Sequence, residues 1–246
     1  MPNQNSRLSA LRAWYRAPLG RKIQRLESQY LSRAIQVPYS FTLVQLGATG
    51  WEKRYLDSGY WRRFVIVDEG VFPRTPFRTI AAHLDSLPLA SECVDVLILP
   101  HTLEFTTDQH QLLRESERVL KPEGQLFVLG FHPWSFYRLY RWLPGRRHAI
   151  PWSGRAITHR RLLDWLSLLN FCCEVTAWYD FRLLHPCEET GRWHSLGAPL
   201  WAVAYAVRAI KRTYTAIPLE PAAESSLSWV PGMVEPTIQR RKNARR

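Results

Sequence analysis

The residues able to do chemistry stand just after apolar runs. "FTLVQLGATGWEK" (Phe41 to Lys53) carries one such run into Gly47-Ala48-Thr49-Gly50. Glycines there let the backbone come close to a ligand, and exposed amides at a following helix start can meet an anion. The loop is poor in glycine, so a cofactor loop, a degraded one and a plain turn all stay open. A second run, Phe64 to Val67, ends on Asp68, which can accept hydrogen bonds from ligand hydroxyls or cap a helix. A weaker third, Arg78 to His83, leads into Leu84 and Asp85. A fourth, Val94 to Pro100, is followed by His101, and a fifth, Gln125 to Phe131, by His132. A histidine accepts a hydrogen bond or a proton only through an unprotonated ring nitrogen. His132 reads first as a turn residue before Pro133, and as a general base at a strand end only second. There is no zinc-ligand spacing, P-loop or nucleophile elbow, and no metal is expected.

These residues need elements to position them. Strand-like runs alternate with helical patterns from Phe41 onward. Asp108 predicts an N-cap for a helix with Leu112, Leu113, Ser116, Val119 and Leu120 on one face, stopped by Lys121-Pro122-Glu123-Gly124. Thr158 predicts a cap for a second helix, with Leu162, Leu163, Trp165, Leu166 and Leu169 as its apolar positions. Cys172 to Phe181 and Leu200 to Val207 read as closing strands without a helix between them. Alternation of this kind predicts a parallel-rich α/β sheet with crossover helices and an antiparallel pair at one edge. Before it, Ser9 to Ala34 reads as one or two helices broken at Pro18, with arginines between the apolar positions. Such a helix can lie on a membrane, or pack on the domain and cover a ligand cleft. The expected division is a basic helical extension over 1–38, the α/β domain over 39–213 and a loose basic tail over 214–246.

The chain of 246 residues carries a formal charge of +12, placed mostly at its ends. Met1 to Ala34 has seven Lys and Arg against one Glu, and Pro236 to Arg246 has five against no acid. Ends of that kind suit RNA, DNA or an anionic membrane surface, or stay solvated. Gln125 to Leu163 holds Arg138, Arg141, Arg146, Arg147, Arg155, Arg160 and Arg161 and no acid. Its interleaved aromatics suit an anionic, partly aromatic small molecule, single-stranded nucleic acid or a membrane surface. No run of about 18 apolar residues predicts a membrane-spanning helix. The N-terminus lacks the apolar core of a signal peptide, and no cysteine forms a CxxC pair, so a cytoplasmic protein with reduced thiols is expected.

Leu84 to Pro133 resembles the central part of class I S-adenosylmethionine-dependent methyltransferases, of the methyltransferase type 11 kind. "LPLASECVDVLI" is similar to their L-P-F…F-D segment. "HTLEFTTDQHQLLRESERVLKPEGQLFV" is similar to their H-x-L…D, R-E-x-x-R-V-L-K-P-G-G-x-L segment. More weakly, the resemblance extends over about residues 41–212. It implies a Rossmann-like seven-stranded, mostly parallel sheet with helices on both faces and an antiparallel edge strand. It also implies S-adenosyl-L-methionine as cofactor. Asp68 would hold the ribose, Gly47 and Ala48 the methionine end, and the Leu84 amide the adenine ring. His83 falls where the family has an acid for the adenine amino group, and His101 by the cofactor and substrate entrance. Where the family reads D/E-x-G-x-G-x-G, this chain has Gln45 for the acid and Thr49 and Trp51 for the second and third glycines; alternatively one residue is missing and Gly50 stands in. Trp51 would cover the pocket or block it. Methyl transfer from a sulfonium needs positioning and exclusion of water, and a base only where the acceptor must lose a proton. The resemblance implies a small-molecule acceptor. Two other readings stay open: a methyltransferase fold acting as a binding or regulatory module, and an RNA-modifying enzyme.

Overall fold

Alternation along the strands sets the architecture. Leu43, Ile66, Ile98, Phe127 and Leu129 point to one face, and Val44, Leu46, Val67, Leu97, Leu126 and Val128 to the other, all buried. Strands apolar on both faces need cover on both, which a parallel sheet flanked by helices provides. A computed structural model describes residues 10–70, 75–133, 155–180 and 202–212 of the chain. The chain divides into Met1–Thr213 and Tyr214–Arg246. The second unit with its basic run, the arginine- and aromatic-rich stretch 134–154, and Cys187 lie outside the described residues.

The strands are β1 (Leu43–Leu46), β2 (Phe64–Asp68), β3 (Arg78–Ala81), β4 (Val94–Pro100), β5 (Leu120–Phe131), β6 (Phe171–Asp180) and β7 (Ala202–Lys211). They form one seven-stranded sheet in the order β3-β2-β1-β4-β5-β7-β6. The pairs from β3 through β5 are parallel, while β7 runs antiparallel to both β5 and β6. The architecture is Rossmann-like, as expected, with the antiparallel strand one place in from the edge. Chain order reverses direction between β1 and β4, and ligands of open α/β sheets bind beyond the strand ends at such a switch point.

On one face lies α1 (Pro18–Ala34), preceded by a helical turn at 10–14. Pro18 occupies the first turn of α1, where its missing N–H costs nothing, so it separates the two helical pieces. Leu11, Trp14, Tyr15, Ile23, Tyr30 and Leu31 are buried in the same cluster as Leu43 and Ile98. The basic N-terminal helices therefore pack on the sheet. A short helix α2 (Thr102–Phe105) follows β4. On the other face lie α3 (Gln109–Val119) and α4 (His159–Leu168). Asp108 caps α3 by accepting from Gln111 N at 2.9 Å, and Thr158 caps α4 by accepting from Arg161 N at 3.3 Å.

Two sequence readings change in detail. The expected stop at Lys121 to Gly124 is a bulge inside β5: Val94 pairs with Leu120 and Val96 with Gln125. Glu123 there has φ +60°, and a Cβ on Gly124 would lie 2.8 Å from the Lys121 carbonyl oxygen. The closing strand runs to Lys211 rather than Val207. The R-E-x-x-R pattern is structural. Glu115 accepts from Leu87 N at 2.9 Å, and Arg118 donates to Leu87 O at 3.1 Å and Leu89 O at 2.9 Å, so the pair pins the loop before β4. The Arg118 hydrogen bond holds the Glu115 carboxyl below its usual range.

Candidate functional site

The C-terminal ends of β1, β2 and β4 bring together Gln45, Gly47, Ala48, Asp68 and His101. Gly47 (φ +84°) turns the chain out of β1, and Gly50 (φ +87°) makes the second bend. A Cβ on Gly47 would lie 3.0 Å from Thr102 Oγ1, which donates to Leu46 O. Gly47 is therefore required both for its backbone angle and for closeness to α2.

The loop closes around a carboxylate that the sequence reading did not assign. Glu52 Oε1 accepts from Thr49 N at 2.7 Å, Thr49 Oγ1 at 2.9 Å, Gly50 N at 2.9 Å and Gln45 Nε2 at 3.0 Å. Gln45 also donates to Gly47 O at 2.8 Å and accepts from the Tyr55 hydroxyl. Trp51 is buried, with its ring edge-on to Tyr15 at 5.9 Å and Tyr55 at 5.5 Å.

Asp68, at the end of β2, is fully buried. Its Oδ2 accepts from Ala48 N at 2.9 Å and from Arg12 at 2.8 Å, while Arg12 Nε donates to Ala48 O at 2.7 Å. Its Oδ1 is buried without a partner. The N-terminal segment thus reaches the acid at this strand end, a contact across 56 residues that no local pattern announces.

His101 follows β4 in the left-handed region, at φ +58°, where a side chain other than glycine's is strained. It is held by partners on three elements. Nε2 lies 2.8 Å from Glu27 Oε1 on α1, Nδ1 lies 3.9 Å from Glu104 Oε2 on α2, and the ring stacks on Phe131 of β5 at 3.9 Å. His101 and Glu27 are both fully buried, and Tyr15 donates to Glu27 Oε2 at 3.1 Å. Burial pushes the His101 pKa down, but the charge and hydrogen bond of Glu27 and the charge of Glu104 outweigh it, so the net shift is upward. Burial and then Glu27 push the Tyr15 phenol well above its usual range, keeping it a donor.

His83 stands apart from this cluster. Its side chain is 88% exposed and faces Glu69 at 3.7 Å. The Leu84 amide, expected at an adenine ring, donates to Glu69 Oε1 at 2.8 Å. Asp85 accepts from Thr107 Oγ1 at 3.4 Å, leaving Oδ1 buried without a partner.

His132, after β5, is 4% exposed, with its amide on Val203 O and its ring 6.1 Å from His159 and 5.9 Å from Trp178. Burial first, and the charge of His159 second, push its pKa down to about 4. The unfolded chain takes up this proton near 6.5 and the folded chain only near 4. Stability should therefore fall as pH drops through that interval. His132→Phe should flatten that limb in urea unfolding measured across acidic pH; an unchanged slope would contradict the assignment.

Beside this strand end lies an open cleft of about 1140 Å³, lined among others by Asp108, His110, Arg155, Thr158, Arg161 and Trp165. The Trp165 ring carries Arg161 at 4.7 Å and His110 at 3.9 Å. None of the sequence-predicted cofactor residues lines it. Among the described residues, no group of three or more His, Cys, Asp or Glu is arranged to hold a metal ion, and no helix is long and apolar enough to cross a membrane.

With this geometry in hand, comparison with known proteins is specific. The family model described as "Methyltransferase domain" matches residues 48–128. The "Uncharacterized protein YafS" of Escherichia coli (strain K12) is 33% identical over 200 residues, covering 81% of this chain and 80% of that protein. "Malonyl-[acyl-carrier protein] O-methyltransferase 1" of Coxiella burnetii is 26% identical over 132 residues, covering 50% of this chain and 47% of that protein. In fold, the crystal structure of a SAM dependent methyltransferase from Archaeoglobus fulgidus superposes with a TM-score of 0.54 at 14% identity, covering 76% of this chain and 94% of that one.

Proposed function

The chain belongs to the class I S-adenosylmethionine-dependent methyltransferases, and we propose that it binds S-adenosyl-L-methionine and methylates a small-molecule acceptor. The observation that carries this reading is Asp68: a buried acid at the end of β2, beside the switch point, with Oδ1 unspent. A ribose hydroxyl is a donor of the kind this oxygen lacks. Gly47 and Ala48 would pass beneath the methionine end, and Leu84 would lie near the adenine. When bound, the cofactor supplies a sulfonium methyl group. The chain's own part is to orient donor and acceptor and exclude water. His132, held neutral above about pH 4, is a weak proton acceptor, so the reading favours an acceptor atom that needs little deprotonation. The cleft beside Pro133 suits the acceptor, and Arg155, Arg161 and Trp165 suit an anionic or aromatic one.

Entry has a cost. Ala48, Asp68 and His101 are at most 1% exposed, with Leu11, Trp14 and Tyr15 of the N-terminal segment buried on that side. A cofactor reaching them has to displace that segment. The same observation favours a second reading, a methyltransferase fold that keeps this groove closed and acts as a binding module. Calorimetric titration separates the two. Saturable S-adenosylmethionine binding supports the enzyme; no binding up to millimolar cofactor, with the protein folded, overturns it. Labelled-methyl incorporation with small-molecule and RNA pools then identifies the acceptor class.

A further inference from the structure

We infer that Glu52 is the acid of the β1 loop: a buried carboxylate placed to receive the α-ammonium of the cofactor's amino-acid end. The inference rests on the cofactor reading above. Gln45 occupies the strand position where an acid would stand, and it is uncharged and engaged through both ends of its amide. Its Nε2 donates to Gly47 O and Glu52 Oε1, and its Oε1 accepts from Tyr55. Its oxygen is already engaged by the Tyr55 hydroxyl and carries no formal charge for a cation.

Glu52 supplies the charge from seven residues downstream. It is 3% exposed, and every hydrogen bond of its side chain falls on one oxygen. Oε2 makes none, and among the described residues no Lys, Arg or His forms an ion pair with Glu52. A buried carboxylate without a cation is costly, and the four hydrogen bonds that offset this cost all fall on Oε1. The four donors fix the carboxylate and leave Oε2 as its unspent acceptor. In the preceding residue, the buried Trp51 Nε1–H has no acceptor. The loop thus keeps one unspent acceptor that carries charge and one unspent donor, which together complement an amino-acid zwitterion.

A loop-tying role alone predicts the same hydrogen bonds, so the test has to separate ligand ends. Glu52→Gln keeps volume and a carbonyl acceptor for the loop amides but removes the charge. Calorimetry would use S-adenosylmethionine, S-adenosylhomocysteine and 5′-methylthioadenosine; the last lacks the amino-acid end. Affinity for the first two should weaken at least about tenfold, as for loss of a charge-assisted contact, with 5′-methylthioadenosine unchanged. Equal weakening of all three, or of none, overturns the assignment. If Glu52→Gln does not fold, Glu52→Asp, which keeps the charge but withdraws it, should show the same selectivity in smaller measure; uniform loss again overturns it. A wild-type protein that binds none of the three overturns the cofactor reading itself, and one that binds only 5′-methylthioadenosine overturns the Glu52 assignment alone.

Discussion

Glu27→Leu should destabilise the protein by about 3–5 kcal/mol, the range for removing one partner of a buried ion pair. Glu27 and His101 are both fully buried, 2.8 Å apart, on α1 and at the end of β4. Removing the acid leaves an imidazole that burial alone would neutralise, and it deprives Tyr15 of its acceptor. Replacing both members, as Glu27→Leu with His101→Phe, should recover most of the loss. The new ring can stack on Phe131 as the imidazole does, and neither member of the buried pair is left without its partner. Urea unfolding of the two single variants and the double variant closes the cycle; additive losses would show that the pair is not coupled. The pH dependence has a definite sign. The folded-state His101 pKa lies above its ordinary 6.5, so the pair's contribution is complete below 6.5 and is lost as pH rises through the raised value. The groups facing the ring are Glu27, Glu104, Tyr15 and Phe131. Since Glu27 is the larger charge partner, Glu27→Leu should shrink this alkaline-side loss.

The positions legible in the sequence are those fixed by local pattern. Asp68 falls at the end of β2 because a β-branched run stops there, and His101 follows β4 for the same reason. Asp108 and Thr158 cap helices because a short oxygen-bearing side chain precedes an apolar helical period. The groups that complete the site were not legible, because tertiary packing brings them there. Arg12 reaches Asp68 across 56 residues and Glu27 reaches His101 across 74. One signal pointed to Glu27: it is the lone acid among the first 34 residues, which hold seven basic ones. A solitary acid in a basic helix is either incidental or buried against a partner. The loop itself carried the other signal. Its missing glycines are not missing bends, since Gly47 and Gly50 make both positive-φ turns while Trp51 sits at φ −126°. What the loop lacks at position 45 is charge, and Glu52 is the first acid downstream of it.

Asp68→Ala should weaken S-adenosylmethionine binding by about tenfold to a hundredfold. Only Oδ1 is unspent, and one hydrogen bond to a buried carboxylate is worth about 1.5–3 kcal/mol, with about 1.4 kcal/mol to each factor of ten. The substitution also removes the acceptor for Ala48 N and the partner of Arg12, so a loss on its own would not separate ligand contact from loop collapse. Arg12→Met separates them. It breaks the tie from the N-terminal segment while Asp68, the Ala48 N contact and the free Oδ1 remain. If Arg12 competes with the ligand for the acid, Arg12→Met should bind the cofactor more tightly and with faster association, because the covering segment is easier to displace. If Arg12 instead completes the site, both variants should bind more weakly. An Asp68→Ala protein that is folded and binds as the wild type does would remove the acid at β2 from the site altogether. The two substitutions sit on the two sides of one 2.8 Å contact. Opposite signs would therefore mean that the N-terminal segment closes the groove, and equal signs that it lines it.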